Sequence, residues 1–340
     1  FGAGKTRLIE ALLGCGGMFP VAANATTGNI FEITVKQTGR ASTELTEWRV
    51  EIIGGTRARS MLERFAARAL AELEREEYTP QFEGLDSPEK SLRAIMKSDA
   101  DFDERLMQAL RWGEVVRRSS RTTELCYAAA ELCRFARAVQ LGRQILGKSF
   151  SVTQAQANDL LTLKHNASSL LRAPIDELQP VLPEIGPAGS LTDVESVRPL
   201  FHLVRKVTAT AEVPEAVARN LGIGEGVDFR FVDCPGGGAD GTGVRDEELS
   251  AEEMKNIDTV LVLVNCSHPG QRTDVVGPVE RFWKGDKDRV MVVASRFDEL
   301  PVQSDDNASV FAELADGEGP LTEADLLSKL GASLGTVADY

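Results

Sequence analysis

The chain has 340 residues, enough for one large or two ordinary domains, and its 42% hydrophobic and 26% charged residues are those of a globular protein. A net charge of −14 excludes broad nucleic-acid binding, which depends on clustered Lys and Arg displacing counterions, so any anion must be held locally. The five cysteines, Cys15, Cys126, Cys133, Cys234 and Cys266, are odd in number and lack C-x-x-C spacing; with His165, His202 and His268 scattered, this excludes a disulfide framework and a zinc site and points to a reducing cytoplasm.

The first stretch is Phe1-Gly2-Ala3-Gly4-Lys5-Thr6, followed by Arg7 to Leu13 with Leu8/Leu12 and Ile9/Leu13 at helical spacing and Gly14 as a C-cap. This is the end of the phosphate-loop pattern G-x-x-x-x-G-K-[ST]. In that pattern backbone N–H groups close around phosphate, the Lys reaches the β/γ-phosphates and the Thr hydroxyl meets Mg2+. The positive end of the following helix faces the same anion. Counting back from Gly4 puts the motif's first Gly upstream of Phe1, so the loop and its feeding strand are expected to be cut by the start of the chain. The absence of an initiator Met agrees with that expectation.

A Thr-containing loop, Ala25-Thr26-Thr27-Gly28, then leads into a strand over Asn29 to Val35. A loop Thr at this place can put its hydroxyl on Mg2+ and its backbone on a γ-phosphate, ordering only when that phosphate is present. A second strand over Leu45 to Ile53 ends at Gly54-Gly55, and the spacing predicts a hairpin through Lys36 to Ser42.

From 57 to 172 the composition turns to Ala, Leu, Glu and Arg. Helices are predicted from Arg57, at Ser91 to Lys97, Asp101 to Arg118, Thr123 to Leu146 and Thr153 to Leu171. The Arg111-Trp112 to Arg121 stretch reads as the solvated end of a helix, with a patch for acidic lipid or a protein partner as the functional alternative. Residues 173–200 hold Pro174, Pro180, Pro183, Pro187 and Pro199 and form a connection.

Strand character returns over Leu203 to Val213, where Val207, Ala209, Ala211 and Val213 alternate with polar residues, and Pro214 to Gly222 is a short helix or turn. Val227 to Asp233 is an apolar strand ending in Asp233-Cys234-Pro235-Gly236, a D-x-x-G arrangement whose Asp would hold Mg2+ through water and whose Gly N–H would meet the γ-phosphate. Two continuous apolar strands follow, Thr259 to Cys266 and Arg289 to Ala294, with a helix between them over Val275 to Lys284. The second ends in Ser295-Arg296-Phe297-Asp298. The strand–helix–strand alternation predicts an α/β fold: a P-loop NTPase doubly wound, mostly parallel sheet with a large all-α insertion. The parts are 1–56, the insertion 57–172, the connection 173–200 and a second part 201–340. No convincing final strand follows Asp298, so a truncated C-terminus is also expected.

Over 1–56 and 201–300 these motifs resemble the dynamin-like branch of the P-loop GTPases, particularly its bacterial members. Phe1-Gly2-Ala3-Gly4-Lys5-Thr6 is close to their G-x-F-S-A-G-K-S loop, Phe231 to Gly236 to their apolar-D-x-P-G, and Ser295-Arg296-Phe297-Asp298 to their T-K-x-D. The resemblance implies a GTPase converting GTP to GDP with Mg2+, slow without a partner. It implies a phosphate cradle of Gly2, Ala3, Gly4, Lys5 and Thr6, and metal contacts from Thr6, Thr27 and Asp233. It puts Gly236 on the γ-phosphate, with Lys5, Thr27 and Gly236 as the catalytic set. Ser295, Arg296 and Asp298 would hold the base, Asp298 accepting from guanine N1 and N2. Arg296 stands where the family has Lys, and its guanidinium can stack on the base instead. Ser295 stands where Thr or Asn is usual, and Gly2 and Gly237 supply no side chain to orient the attacking water. The resemblance further implies a cytoplasmic protein that forms a homodimer or larger assembly through the GTPase domain. A peripheral membrane or protein partner would meet the helical insertion. Two other readings stand beside it, an ATPase of another P-loop class and a nucleotide-binding scaffold that does not turn over.

Overall fold

A computed structural model describes residues 5–18, 28–75, 82, 85, 87–97, 100–119, 123–162, 190–192, 197–224, 229–235, 249–250, 252–265 and 290–295. The protein is mixed α/β. Five strands form one sheet in the order β3-β2-β4-β1-β5, with β1 Ile30–Gln37, β2 Glu44–Ile52, β3 Ser149–Ser151, β4 Val204–Val213 and β5 Phe229–Asp233. β6 Val260–Asn265 and β7 Val290–Ser295 pair as a second, two-stranded sheet. The contacts divide the chain into a large unit, 1–264 with 270–293, and a small one, 265–269 with 294–340, of which only Asn265, Ala294 and Ser295 are described.

The larger sheet differs from the expected one in two ways. β1 and β2 are not a hairpin: β4 lies between them, parallel to β1 and antiparallel to β2. β4 is the more apolar partner for both, its Val207, Ala209, Ala211 and Val213 all buried on one face, and so it takes the central place. The sheet is also mixed rather than mostly parallel, since β1–β5, β2–β4 and β2–β3 all run antiparallel.

Period-two patterning gives this sheet one apolar and one polar face. The registers put Phe31, Ile33 and Val35 of β1, Val207, Ala209, Ala211 and Val213 of β4, and Phe229 and Phe231 of β5 on the first. Glu32, Thr34, Lys206, Thr208, Thr210 and Arg230 lie on the second. The apolar face shares one core with Leu13 of α1 Lys5–Leu13, Leu160 of α6 Gln154–Leu161 and Ala218 of α7 Glu215–Asn220.

Two β-bulges keep that face apolar. In β2 the apolar residues are Leu45, Trp48, Val50 and Ile52, so the alternation slips once. The slip falls on Glu47, which adopts φ +53 where the register shifts between Thr46 and Arg49. Trp48 is thereby returned to the core, stacked on Phe31 with ring centroids 5.6 Å apart. In β4 the slip falls on Arg205, the extra residue between the Glu51–Lys206 and Ile52–Val204 pairs.

Helices α2 Gly55–Glu74, α3 Pro88–Ile95, α4 Phe102–Ser119 and α5 Thr123–Leu141 pack on one another, Phe65 meeting Phe135 at 4.9 Å between centroids. Ser87 caps α3 with Pro88 at its first position, and Thr153 with Gln156 forms a capping box on α6. The stretch 57–172 is not wholly helical, because β3 adds an edge strand on β2. The last predicted helix of the stretch is described only over Gln154–Leu161. Trp112 is fully buried, its indole N–H donating to Pro88 O at 3.2 Å, and so is no exposed anchor for a lipid surface. Arg118 is paired with Glu114. Among the described residues no helix is long and apolar enough to cross a membrane.

β6 was expected to be covered on both faces, yet Leu261 is 39% exposed. The helix expected over Val275 to Lys284 lies outside the described residues.

Candidate functional site

The first helix and the last strand of the larger sheet meet at their ends. α1 starts at Lys5 and packs against β5, which ends at Asp233. α1 stops as the sequence predicts. Gly14 takes φ +64, its N–H reaches Ala11 O at 3.2 Å, and Cys15 N–H reaches Glu10 O at 2.9 Å, the paired bonds of a Schellman cap. The buried side of α1 holds Glu10 and Leu13, while Leu12 is exposed. The Thr43 hydroxyl, from the start of β2, donates to Leu13 O at 2.5 Å and fixes the helix end to the sheet.

At the other end of α1, Thr6 Oγ1 donates to Asp233 Oδ2 at 3.1 Å. Asp233 is 4% exposed although β5 is an edge strand among the described residues, because α1 sits over its end. Lys5 is close enough for its ammonium to act on the neighbouring Cys234 thiol, yet burial dominates there and, with the Asp233 carboxylate beside it, pushes that thiol up to about 12. Cys234 therefore stays protonated. A helix start, a hydroxyl and a buried carboxylate meet at one spot, with Lys5 next to the hydroxyl in the chain. That set can hold an anion and, through its two oxygen-bearing groups, a hard cation.

Of the residues singled out in the sequence, Lys5, Thr6 and Asp233 are brought together here, and Ser295 ends β7. Gly2, Ala3, Gly4, Thr27, Gly236, Arg296 and Asp298 lie outside the described residues.

The sequence reading missed what surrounds Asp233. Leu249, Ser250, Glu252 and Glu253 are helical and run into the 3₁₀ turn Met254–Asn256. Their carboxylates are held by Arg57, Arg205 and Lys206. The legible signal was the broken alternation at Arg205-Lys206, which marks two cations on neighbouring positions of a strand.

Among the described residues no three His, Cys, Asp or Glu side chains gather as a metal site. Mg2+ does not require such a cage, since it keeps waters and takes one or two protein oxygens together with substrate phosphates. A hydroxyl that donates a hydrogen bond to a carboxylate keeps its lone pairs for a cation, so Thr6 and Asp233 fit that ion.

The fold and site together define a mixed α/β protein with a hydroxyl–carboxylate pair at the junction of a helix start and a strand end. No protein-family model matches the chain, and no curated protein matches it.

Proposed function

We propose that the chain binds guanosine triphosphate with Mg2+ at the Lys5–Thr6–Asp233 junction and hydrolyses it to GDP, as a switch or assembly GTPase of the dynamin-like type. The observation that carries this reading is the Thr6–Asp233 hydrogen bond at 3.1 Å. It joins the last residue of a G-K-T sequence to the Asp of a D-x-x-G sequence, and neither motif refers to the other in the chain. The antiparallel pairing of β1 with β5 supports it further, because it brings the strand after Thr27 alongside the strand that ends in Asp233.

In this reading Lys5 neutralises the β- and γ-phosphates as a point charge, at a helix start already favourable to anions. Thr6 would keep its hydrogen bond to Asp233 and offer its oxygen to the cation, while Asp233 would hold that cation through water. The bound Mg2+ supplies charge neutralisation at the phosphates. Thr27 and Gly236 would meet the γ-phosphate side, and Asp298 with Ser295 and Arg296 would select guanine. With Gly2 and Gly237 offering no side chain to the attacking water, turnover is slow until a partner completes the site.

Calorimetry with GTP and Mg2+ tests the reading, with Lys5→Ala and Asp233→Asn as controls. Saturable binding in the wild type that both substitutions remove supports it, and binding that neither affects overturns it. Single-turnover hydrolysis at saturating protein separates a GTPase from a scaffold.

A further inference from the structure

An ionic network of eight side chains centres on Lys206, most buried at Lys206, Glu32 and Glu253 and partly exposed at its rim. Glu252 Oε1 and Glu253 Oε1 take the same Arg205 Nη2 at 3.1 and 3.2 Å, and Arg205 Nη1 reaches Glu51 Oε2 at 3.5 Å. Lys206 Nζ meets Glu32 Oε2 at 2.7 Å and Glu253 Oε2 at 3.8 Å, with the Lys206 and Glu32 side chains only 11% and 12% exposed. Arg57 Nη2, in the first turns of α2, holds Glu252 Oε2 at 3.4 Å. Arg230 of β5 lies 3.9 Å from Glu32 Oε1. The cations Arg57, Arg205, Lys206 and Arg230 match the anions Glu32, Glu51, Glu252 and Glu253 in number, so the network is neutral.

Its construction is specific. The bulge at Arg205 is what lets Arg205 and Lys206 address the same carboxylate, because in a regular strand neighbouring side chains point to opposite faces. Burying ion pairs is a poor way to gain stability, since the desolvation penalty offsets most of the attraction. What such a network does well is select one arrangement of the segment it holds. That segment is tied to β5 as well, because Lys206 also holds Glu32, which pairs with Val232 across the β1–β5 ladder and lies 3.9 Å from Arg230. Contacts therefore run from the Asp233 end of β5 through Glu32 and Lys206 to Glu253, whose neighbour Glu252 reaches Arg57 on α2.

We propose that Glu252 and Glu253 form an electrostatic latch that couples the state of the Asp233 end of β5 to the start of α2. The inference deepens the reading above, since a phosphate-bearing ligand at Lys5, Thr6 and Asp233 is what would work the latch. Anything that shifts the Asp233 end of β5 shifts Glu32 on the strand paired with it, and Lys206 and Glu253 in turn. Glu252 then changes its hold on Arg57, and the helical layer registers the change. Coupling of this kind needs a demonstrated energetic link rather than proximity alone, and the test is built to measure one without nucleotide.

Hydrogen exchange followed by mass spectrometry on the full chain reads two regions, 249–256 and the first turns of α2. Asp233→Asn, which keeps shape and removes charge, is expected to speed exchange about ten-fold in both, within the usual range of coupling between sites. With Glu252→Gln added, the response at 249–256 is expected to persist while the response at α2 disappears. Arg57→Met breaks the same link from the other side and should do the same, so the test survives if one variant fails to fold. An α2 response that is absent in Asp233→Asn alone, or that persists in both double variants, overturns the latch. A second arm adds GTP with Mg2+ to the wild type. If no binding is seen there while the substitution arm shows coupling, the nucleotide reading fails and the latch stands. If binding is seen and α2 responds equally in Glu252→Gln and wild type, the latch fails and the nucleotide reading stands.

Discussion

Thr6 Oγ1 donates a hydrogen bond of 3.1 Å to Asp233 Oδ2 across 227 positions of sequence, joining the start of α1 to the end of β5. The bond is asymmetric in a useful way. Because the hydroxyl is the donor, the Thr6 oxygen keeps its lone pairs for a cation. Thr6→Val keeps the shape of the side chain and removes that hydroxyl. It should lower the affinity for GTP with Mg2+ by about ten-fold or more, a hydrogen bond to a charged group being worth about 1.5–3 kcal/mol. The same calorimetry without Mg2+ should show little difference between the variant and the wild type. An equal loss with and without the ion would assign Thr6 to phosphate alone.

Asp298→Ala should weaken GTP much more than ATP. A site built to receive the guanine N–H donors discriminates by leaving unmatched polar groups unpaired, which costs about 1–3 kcal/mol each. Competition of the two nucleotides for the wild type and the variant measures this directly. A parallel loss for both would return the chain to the ATPase reading.

Gly113→Ala should destabilise the helical layer despite its better helix propensity. A Cβ at Gly113 of α4 would lie 2.7 Å from both Ala129 O and Cys133 Cβ of α5, inside any tolerable contact and against backbone that cannot swing aside. Propensity returns about 1 kcal/mol at most, while overpacking costs about 1–3 kcal/mol. Urea unfolding should therefore show a lowered midpoint, and a raised one would mean that the two helices can separate at little cost.

Three thiols make stability depend on alkaline pH. Burial pushes Cys15 and Cys133 up to about 11 and Cys234 up to about 12 from an ordinary 9.0, with nearby carboxylates adding to the shift at each. Their folded-state values lie above the unfolded one, so the folded protein keeps protons that the unfolded chain releases. Their contribution is full below pH 9.0 and is lost as pH rises through 11 and 12. Unfolding midpoints should fall across that window, and Cys133→Ala should flatten the fall. An identical slope in the variant would assign it to other groups.

Local pattern made much of this protein legible. α1 and its Gly14 stop, the strand over Val207 to Val213, and the helices at 102–119 and 123–141 follow from periodicity and cap chemistry, both of which act within a few residues. The glycine after α1 could be read because only its own φ was at stake. Lys5, Thr6 and Asp233 could be singled out because two motifs each carry a fixed spacing.

Partner choice across long separations could not be read that way. β1 and β2 are neighbours in sequence and strand-like, so a hairpin was the local expectation. β4, arriving from Val204 onward, displaced it by offering both strands a fully buried face, a gain in apolar burial that no local rule contains. Trp112 stands in a stretch whose local pattern reads as a solvated helix end, and it was the packing of α3 and α4, with Pro88 O at hand, that buried it. The Arg205–Lys206 network shows the same division. The broken alternation is written in the sequence, but which carboxylates those cations would meet depended on the chain returning at 249–253, and Coulomb attraction acts through space without regard to position in the chain.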